Sequence, residues 1–253
     1  MTGSRRFGSK EDYYRWNDEM VRRYAPAKFY QSAFVRVVEG VRFRHIVGNI
    51  HRYCNGGTIL EIGCGPGFMV RQAQASGIFG RCVGLDISLP SLNKAWDLVP
   101  EATFIAGDGE AIPLKASSVQ AVCITEVIEH VPDPLAVLRE AVRVLAPGGV
   151  LIVTAPNESL LTFIKRFILA LRLDLLLFGK GYRPSIRMNE EWHLHAMNRK
   201  RLARLVMDAG LTPLRWARLP FWFIPMRTLV VCGVSTPNSA MAAEPLCRSG
   251  VSP

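Results

Sequence analysis

The sequence predicts an α/β fold, a doubly wound and mostly parallel sheet with N-terminal helices and an inserted helical cap. Three observations predict it. From residue 58 onward, short apolar runs alternate with helix-like segments, the signature of βαβ units. The first run feeds three glycines at alternate positions, Gly63, Gly65 and Gly67. The next two runs each end on an acid, Asp86 and Asp108.

Over residues 10–54, Tyr13, Trp16, Met20 and Tyr24, then Phe34, Val38 and Val41, recur at three- and four-residue steps, as on a helix face. Pro26 separates two helices there, since its ring removes a donor and blocks the preceding turn. Strands are predicted at Thr58–Ile62, Arg81–Asp86, Thr103–Ala106, Val119–Thr125 and Val150–Ala155. Helices are predicted near 67–77, 89–98 and 133–145, the last stopped by Pro147-Gly148-Gly149. A helix over 198–209 and strands near 211–218 and 228–233 complete the sheet. The expected organisation is an N-terminal helical lid (1–56), an α/β domain (57–234) with an inserted cap (157–192), and a loose tail (235–253).

Of 253 residues, 49% are hydrophobic and 21% charged, which excludes a disordered chain or a disulfide-stapled miniature scaffold. The six cysteines (Cys54, Cys64, Cys82, Cys123, Cys232, Cys247) never form C-x-x-C. That pattern predicts free thiols in a reducing cytosol and no zinc site. No apolar stretch reaches membrane-spanning length and the first ten residues are polar, so a cytoplasmic protein is expected. The net charge of +10 divides into +6 over residues 1–56, −4 over 57–156 and +8 over 157–253. Basic flanks attract nucleic acid, anionic lipid or an anionic small substrate, and charge alone does not choose. The cluster Arg199-Lys200-Arg201-Arg204 lacks interleaved aromatics, so no nucleic-acid partner is expected.

The chemistry starts at Ile59-Leu60-Glu61-Ile62-Gly63-Cys64-Gly65-Pro66-Gly67-Phe68. Glycines after a strand let the backbone turn tightly and let a ligand approach main-chain N–H groups. The dinucleotide fingerprint requires a further glycine where this chain has Phe68. Asp86 follows Gly67 by nineteen residues; it can accept both hydroxyls of a ribose or cap the helix near Leu89. Asp108 suits an Asp-Gly turn equally well. Two acids at consecutive strand ends beyond a glycine turn point to a nucleoside held across the carboxyl edge of the sheet.

Residues 58–156 resemble a class I S-adenosylmethionine-dependent methyltransferase of the small-molecule kind that includes the ubiquinone-pathway O-methyltransferases. The resemblance rests on LEIGCGPG, GLDIS, GDGEAIPL, CITEVIEHVPDP and LAPGGVLIVTAPN, with a weaker match in HLHAMNRKRLARLVMDAGL. It implies a seven-stranded sheet whose last strand is antiparallel. It also implies that Glu61, Gly63, Gly65 and Gly67 line the methionine end of S-adenosylmethionine. Asp86 would take the ribose, Ile87 would pack on adenine, and Asp108 with Gly109 would meet the adenine amine and ring. Glu126 sits where such enzymes face both cofactor and acceptor.

Glu126-Val127-Ile128-Glu129-His130 spaces two carboxylates on one helix face with an imidazole beside them. Three readings stay open: the group orients the loop before Pro132-Asp133-Pro134, His130 is a general base, or the group ligates a divalent metal. The first is preferred and no metal ligand is assigned. An imidazole titrating near neutrality suits proton removal from a hydroxyl acceptor. His193 and His195 alternate, so one can face an acceptor while the other stays in solvent.

Leu160–Phe178 carries fourteen apolar residues, with Lys165, Arg166 and Arg172 on one side of a helical projection and Asp174 opposite. That face suits a helix packed on the core, an acceptor-pocket cap or peripheral contact with an anionic membrane. An apolar pocket roofed by this segment and by Tyr13, Tyr14, Trp16, Tyr24, Phe29 and Tyr30 is expected, with Phe163, Phe167 and Leu171 in the roof. Arg166, Arg172 or Arg183 would sit near an anionic group. The leading function is methyl transfer, with O-methylation preferred, to a small or lipid-like acceptor. The alternatives are a catalytically silent relative docking on membranes through the insertion, and an NAD-dependent oxidoreductase, which Phe68 disfavours.

Overall fold

Alternation along the central strands sorts their side chains onto two faces, and both are covered. The computed structural model describes residues 7–24, 33–54, 56–178, 185–187, 191–221 and 224–234. Its strands are β1 (Thr58–Ile62), β2 (Arg81–Asp86), β3 (Thr103–Ala106), β4 (Val119–Thr125), β5 (Leu145–Pro156), β6 (Leu211–Phe221) and β7 (Ile224–Val234). Its helices are α1 (Lys10–Tyr24), α2 (Ala33–His51), α3 (Phe68–Ala75), α4 (Leu89–Leu98), α5 (Pro134–Val144), α6 (Glu158–Ala170), α7 (Asp174–Phe178) and α8 (Arg199–Asp208). The seven strands lie in the order β3-β2-β1-β4-β5-β7-β6. The first five run parallel, and β7 is antiparallel to both its neighbours.

Leu60, Ile62, Val122, Ile124, Leu151 and Val153 face α5 and α8, meeting Val137, Leu138, Ala141, Leu202 and Val206. The intervening Ile59, Ala121, Cys123, Val150 and Ile152 face α2, α3 and α4 through Ile46, Ile50, Met69, Leu92 and Ala95. Burial on both faces explains why these strands read as continuous apolar runs. At the start of α5, the Asp133 side chain accepts the N–H groups of Leu135 and Ala136, with Pro134 in the first turn, where its missing donor costs nothing.

Two expectations need correction. The fifth strand starts at Leu145 rather than Val150, because Val119 pairs with Leu145 and Ala121 with Val150. Pro147-Gly148-Gly149 therefore forms a bulge within the strand, with Gly148 at φ +74°. Residues 126–130 form a turn after β4 and not a helix. The predicted tail, 235–253, lies outside the described residues.

The insertion between β5 and α8 packs differently from the sheet helices. No residue of α6 is fully buried, and Phe163 (66%), Phe167 (54%) and Leu171 (55%) are exposed. Ile152→Ala should therefore lower unfolding free energy by about 2–5 kcal/mol through cavity formation. Phe163→Ala should change it by no more than about 0.5 kcal/mol. Urea titrations at unchanged slope measure both. Equal costs would mean that α6 is part of the core.

Candidate active site

Because β1 to β4 run parallel, their last residues reach the same sheet edge. Chain order reverses at β1, which has β2 on one side and β4 on the other, and such a switch point opens a crevice at the carboxyl ends. The glycine turn lies in that crevice. Gly63 has φ +70° and Gly65 φ +50°, conformations that L side chains rarely adopt. At Gly63 an added Cβ would also come within 2.3 Å of Val127. The Gly63 and Cys64 N–H groups donate to the Leu85 carbonyl at 2.7 and 3.0 Å.

Asp86 is a brace as well as a strand end. Its Oδ2 accepts the Gly65 N–H at 2.7 Å and its Oδ1 the Ser88 N–H at 2.8 Å. Burial pushes this carboxyl above its ordinary value, and those N–H groups oppose the shift. Asp86 is not itself the helix cap: the cap residue of α4 is Ser88, without a side-chain cap bond, and Asp86 holds the N–H of that residue instead. Glu61 is buried, accepts the Thr125 hydroxyl at 2.9 Å on Oε1, and has no hydrogen-bond partner on Oε2 among the described residues. Burial raises its pKa to about 8 against the pull of Thr125 and Arg42.

Asp108 opens a turn, its Oδ1 accepting the Glu110 N–H at 2.9 Å. Its Oδ2 meets Lys10 Nζ at 2.6 Å and the Tyr14 hydroxyl at 3.0 Å. Although burial opposes it, Lys10 holds this carboxyl below its ordinary value. The helix α1 therefore lies over the ends of β2 and β3. Its Tyr13, Trp16 and Met20 cluster with Leu194, and Ile87, Tyr14 and Trp192 pack against them. Next to this edge, a Cβ on Gly109 would come within 2.9 Å of Ile62. Phe29, Tyr30 and Arg183, and the Tyr24 side chain, lie outside the described residues.

Glu126 follows β4 at φ +57°, a strain of order 1–3 kcal/mol that surrounding contacts must hold. The holders are Thr154, whose hydroxyl donates to Oε1 at 3.1 Å, and Arg227, whose Nε donates to Oε2 at 2.9 Å. Arg227 also meets Glu39 at 3.2 Å, and Glu39 meets Arg42 at 2.6 Å. Burial disfavours a charged Glu39, yet the two arginines hold its pKa below the ordinary value.

His130 and His193 stack edge to face, with ring centroids 4.9 Å apart. His130 Nδ1 lies 3.2 Å from the Trp192 carbonyl, and His193 Nδ1 lies 3.0 Å from Glu158 Oε1. Burial, then the neighbouring His193, lowers the His130 pKa to about 3. Burial thus works against the near-neutral titration that suits a general base. His195 faces the other way, with Nε2 against the carbonyls of Val131 and Pro132.

The insertion corrects the pocket-roof expectation. Phe163, Phe167 and Leu171 point outward, as do Arg166 and Arg172. The inward cation is Lys165, whose pKa burial and the charge of Arg227 lower to about 8. Arg227, Glu39 and Arg42 were not foreseen from the sequence. No local motif marks them, since they come from α2 and β7 and meet only in the fold.

A family described as a methyltransferase domain matches residues 60–153. A demethylmenaquinone methyltransferase of Bacillus licheniformis is 30% identical over 165 residues, covering 62% of this chain and 71% of that protein. An uncharacterized 37.1 kDa protein in transposon TN4556 of Streptomyces fradiae is 29% identical over 61% of this chain, and the match spans only 43% of that relative's length. A Pyrococcus horikoshii OT3 protein shares the fold with TM-score 0.64 at 18% identity, covering 86% of this chain and 99% of its own. A putative S-adenosyl-L-methionine-dependent methyltransferase from Methanococcus maripaludis does so with TM-score 0.58 at 15% identity, covering 94% and 99%.

A carboxyl whose folded pKa lies above its unfolded value stabilises the fold at low pH and loses that contribution as pH rises through the folded pKa. For Glu61 the window runs from 4.5 to about 8. Glu61→Gln should flatten the fall in stability across that window, measured by urea titrations at several pH values. A fall as steep as in the wild type would show that Glu61 is not its source.

Proposed function

This chain belongs to the class I S-adenosylmethionine-dependent methyltransferases, and we propose that it methylates a hydroxyl oxygen of a small, apolar, quinone-type acceptor. The carrying observation is the convergence of the Gly63–Gly67 turn, Asp86, Asp108 and the tethered Glu126 at one sheet edge. The residues fit the cofactor. Glu61 Oε2 is a buried oxygen without a hydrogen-bond partner among the described residues, and a Cβ on Gly65 would meet nothing within 4 Å among them, so a ligand has room against the backbone.

In this reading Asp86 takes the ribose hydroxyls, Ile87 covers an adenine face, and Asp108 with Gly109 meets the adenine edge. Glu61, Gly63, Gly65 and Gly67 surround the methionine end, and Glu126 stands between cofactor and acceptor. Bound S-adenosylmethionine supplies a methyl group on a sulfonium that leaves readily. The chain's own contribution is alignment of the acceptor oxygen in line with that methyl, which removes much of the entropic part of the barrier. Leu161, Ile164 and Ile168 form a half-buried apolar face on α6, and Lys165 among them suits an acceptor oxygen that carries negative charge. Similarity to the demethylmenaquinone methyltransferases of Bacillus licheniformis and Bacillus velezensis supports a quinone-type acceptor.

A second reading adds peripheral membrane contact. Phe163, Phe167, Leu171 and Leu175 recur every four residues along α6 and α7, and all are exposed together with Leu176 (81%). Exposed Arg166 and Arg172 lie in the same stretch, a combination that favours anionic lipid. No helix among the described residues is long and apolar enough to cross a membrane.

Calorimetry should show binding of S-adenosylhomocysteine and none of NAD. Asp86→Ala should weaken that binding tenfold or more, as expected for lost charge-assisted hydrogen bonds worth roughly 1.5–3 kcal/mol each. An unchanged dissociation constant in a folded variant would refute the ribose assignment. For the second reading, the protein should sediment with anionic vesicles and not with zwitterionic ones, and the triple change Phe163→Ser, Phe167→Ser, Leu176→Ser should abolish this. Undiminished sedimentation of the triple variant would discard membrane docking through this face.

A further inference from the structure

A hydroxyl that becomes a methyl ether gives up a proton, and the groups nearest the end of β4 are poorly placed to take it. Glu126 already accepts from Thr154 on one oxygen and from Arg227 on the other. His130 packs edge to face on His193 and turns Nδ1 to the Trp192 carbonyl. A third group reaches this edge from the insertion. Lys165 lies on the less exposed face of α6 with Leu161, Ile164 and Ile168, at helical spacings. The helix packs on β7, and the N–H of its cap residue Asn157 donates to the Met226 carbonyl at 2.8 Å. Arg227 follows Met226 and pairs with Pro156 at the end of β5. The helix that carries Lys165 is thus anchored beside the place where Arg227 meets Glu126.

Apolar neighbours and a nearby cation both favour the neutral amine, the form of lysine that accepts a proton. Arg227 is the charge that acts on Lys165. Of the other charged groups around it, Glu39 and Arg42 of α2 and Glu126 are tied to Arg227 or to each other. Glu158, earlier on α6, meets His193, Asp174 on α7 is buried, and Arg166 is exposed. We propose that Lys165 is the catalytic base of the methyl transfer, its neutral Nζ taking the proton of an aryl hydroxyl on an acceptor of the phenol or quinol class. The oxygen keeps the O–H electron pair and bonds to the methyl carbon. The carbon–sulfur pair stays on sulfur, giving S-adenosylhomocysteine, and the Lys165 ammonium returns its proton to solvent. Burial, then Arg227, lowers the Lys165 pKa to about 8. A phenolic hydroxyl ionises at about 10, so the proton moves between groups of similar basicity. Below its pKa Lys165 is an ammonium that accepts nothing, and turnover should fall as pH drops through about 8.

This role rests on the methyl-transfer reading; the titration of Lys165 does not, and two measurements on the full chain keep them apart. Trace labelling of lysines with acetic anhydride across a pH series, read by mass spectrometry of the Lys165 peptide, needs neither cofactor nor acceptor. A midpoint near 8 is expected, and the ordinary lysine value of 10.5 would overturn the proposal. Turnover is then followed as methyl ether formed from S-adenosylmethionine and naphthohydroquinone, kept reduced under argon. Lys165→Met should lower kcat about a hundred- to ten-thousandfold and leave the Kd of S-adenosylhomocysteine unchanged. Lys165→Arg keeps the positive charge but cannot accept a proton, so it should be equally slow, with its acid limb moved up to the ionisation of the quinol itself. A wild-type pH profile and kcat in either folded variant would overturn the proposal. So would the absence of methyl ether from a wild type that binds S-adenosylhomocysteine. A wild type that does not bind S-adenosylhomocysteine would instead remove the methyl-transfer reading, and this role with it.

Discussion

The Gly65 N–H donates to the Asp86 carboxylate at 2.7 Å, joining the turn after β1 to the end of β2. The Leu85 carbonyl takes two more N–H groups from the same turn, and the Asp86 carbonyl takes the N–H of Gly107 after β3. Three strand ends are thus tied by main-chain groups that would otherwise be buried without partners. Glycine at positions 63, 65 and 67 takes left-handed backbone without a Cβ clash, and these bonds hold the turn in place. Everything placed at the carboxyl edge takes its position from this knot, and the carboxylate at its centre retains acceptor capacity for a ligand.

A second set of constraints is electrostatic. Glu126 keeps its left-handed conformation between Thr154 and Arg227, and Arg227 extends the chain of charges through Glu39 to Arg42 on α2. Removing charges from water is costly, and such pairs persist when each member satisfies several others. The network links α2, the residue that follows β4, and β7. Glu61 also has a buried oxygen, Oε2, without a hydrogen-bond partner among the described residues, the condition expected of a group whose counterpart arrives with a ligand.

The sheet was legible because β1, β2, β3 and β4 carry their own boundaries, and all four match the predicted runs. The glycine turn and the acids at 86 and 108 were legible for a related reason, since strand–turn–helix chemistry is local. What could not be read was long-range. Nothing near Arg227 or Lys10 in the chain announces that one meets Glu126 and the other Asp108. The helical reading of residues 126–130 failed because spacing alone cannot distinguish a tight turn from the first turn of a helix. In the insertion, periodicity identified a helix with a wide apolar face and left three roles open for it. Both faces are apolar, and only packing reveals that Lys165 turns inward while Phe163 and Phe167 turn out.

The proposed function requires the braced edge to be the cofactor cradle. A crystal structure with S-adenosylhomocysteine tests this most directly. The predicted result has both ribose hydroxyls on Asp86, adenine against Ile87, and the methionine portion along Gly63–Gly67 beside Glu61, with the Gly65–Asp86 bond intact. Ligand bound away from the ends of β1 and β2, or an Asp86 carboxylate turned from it, would contradict the account.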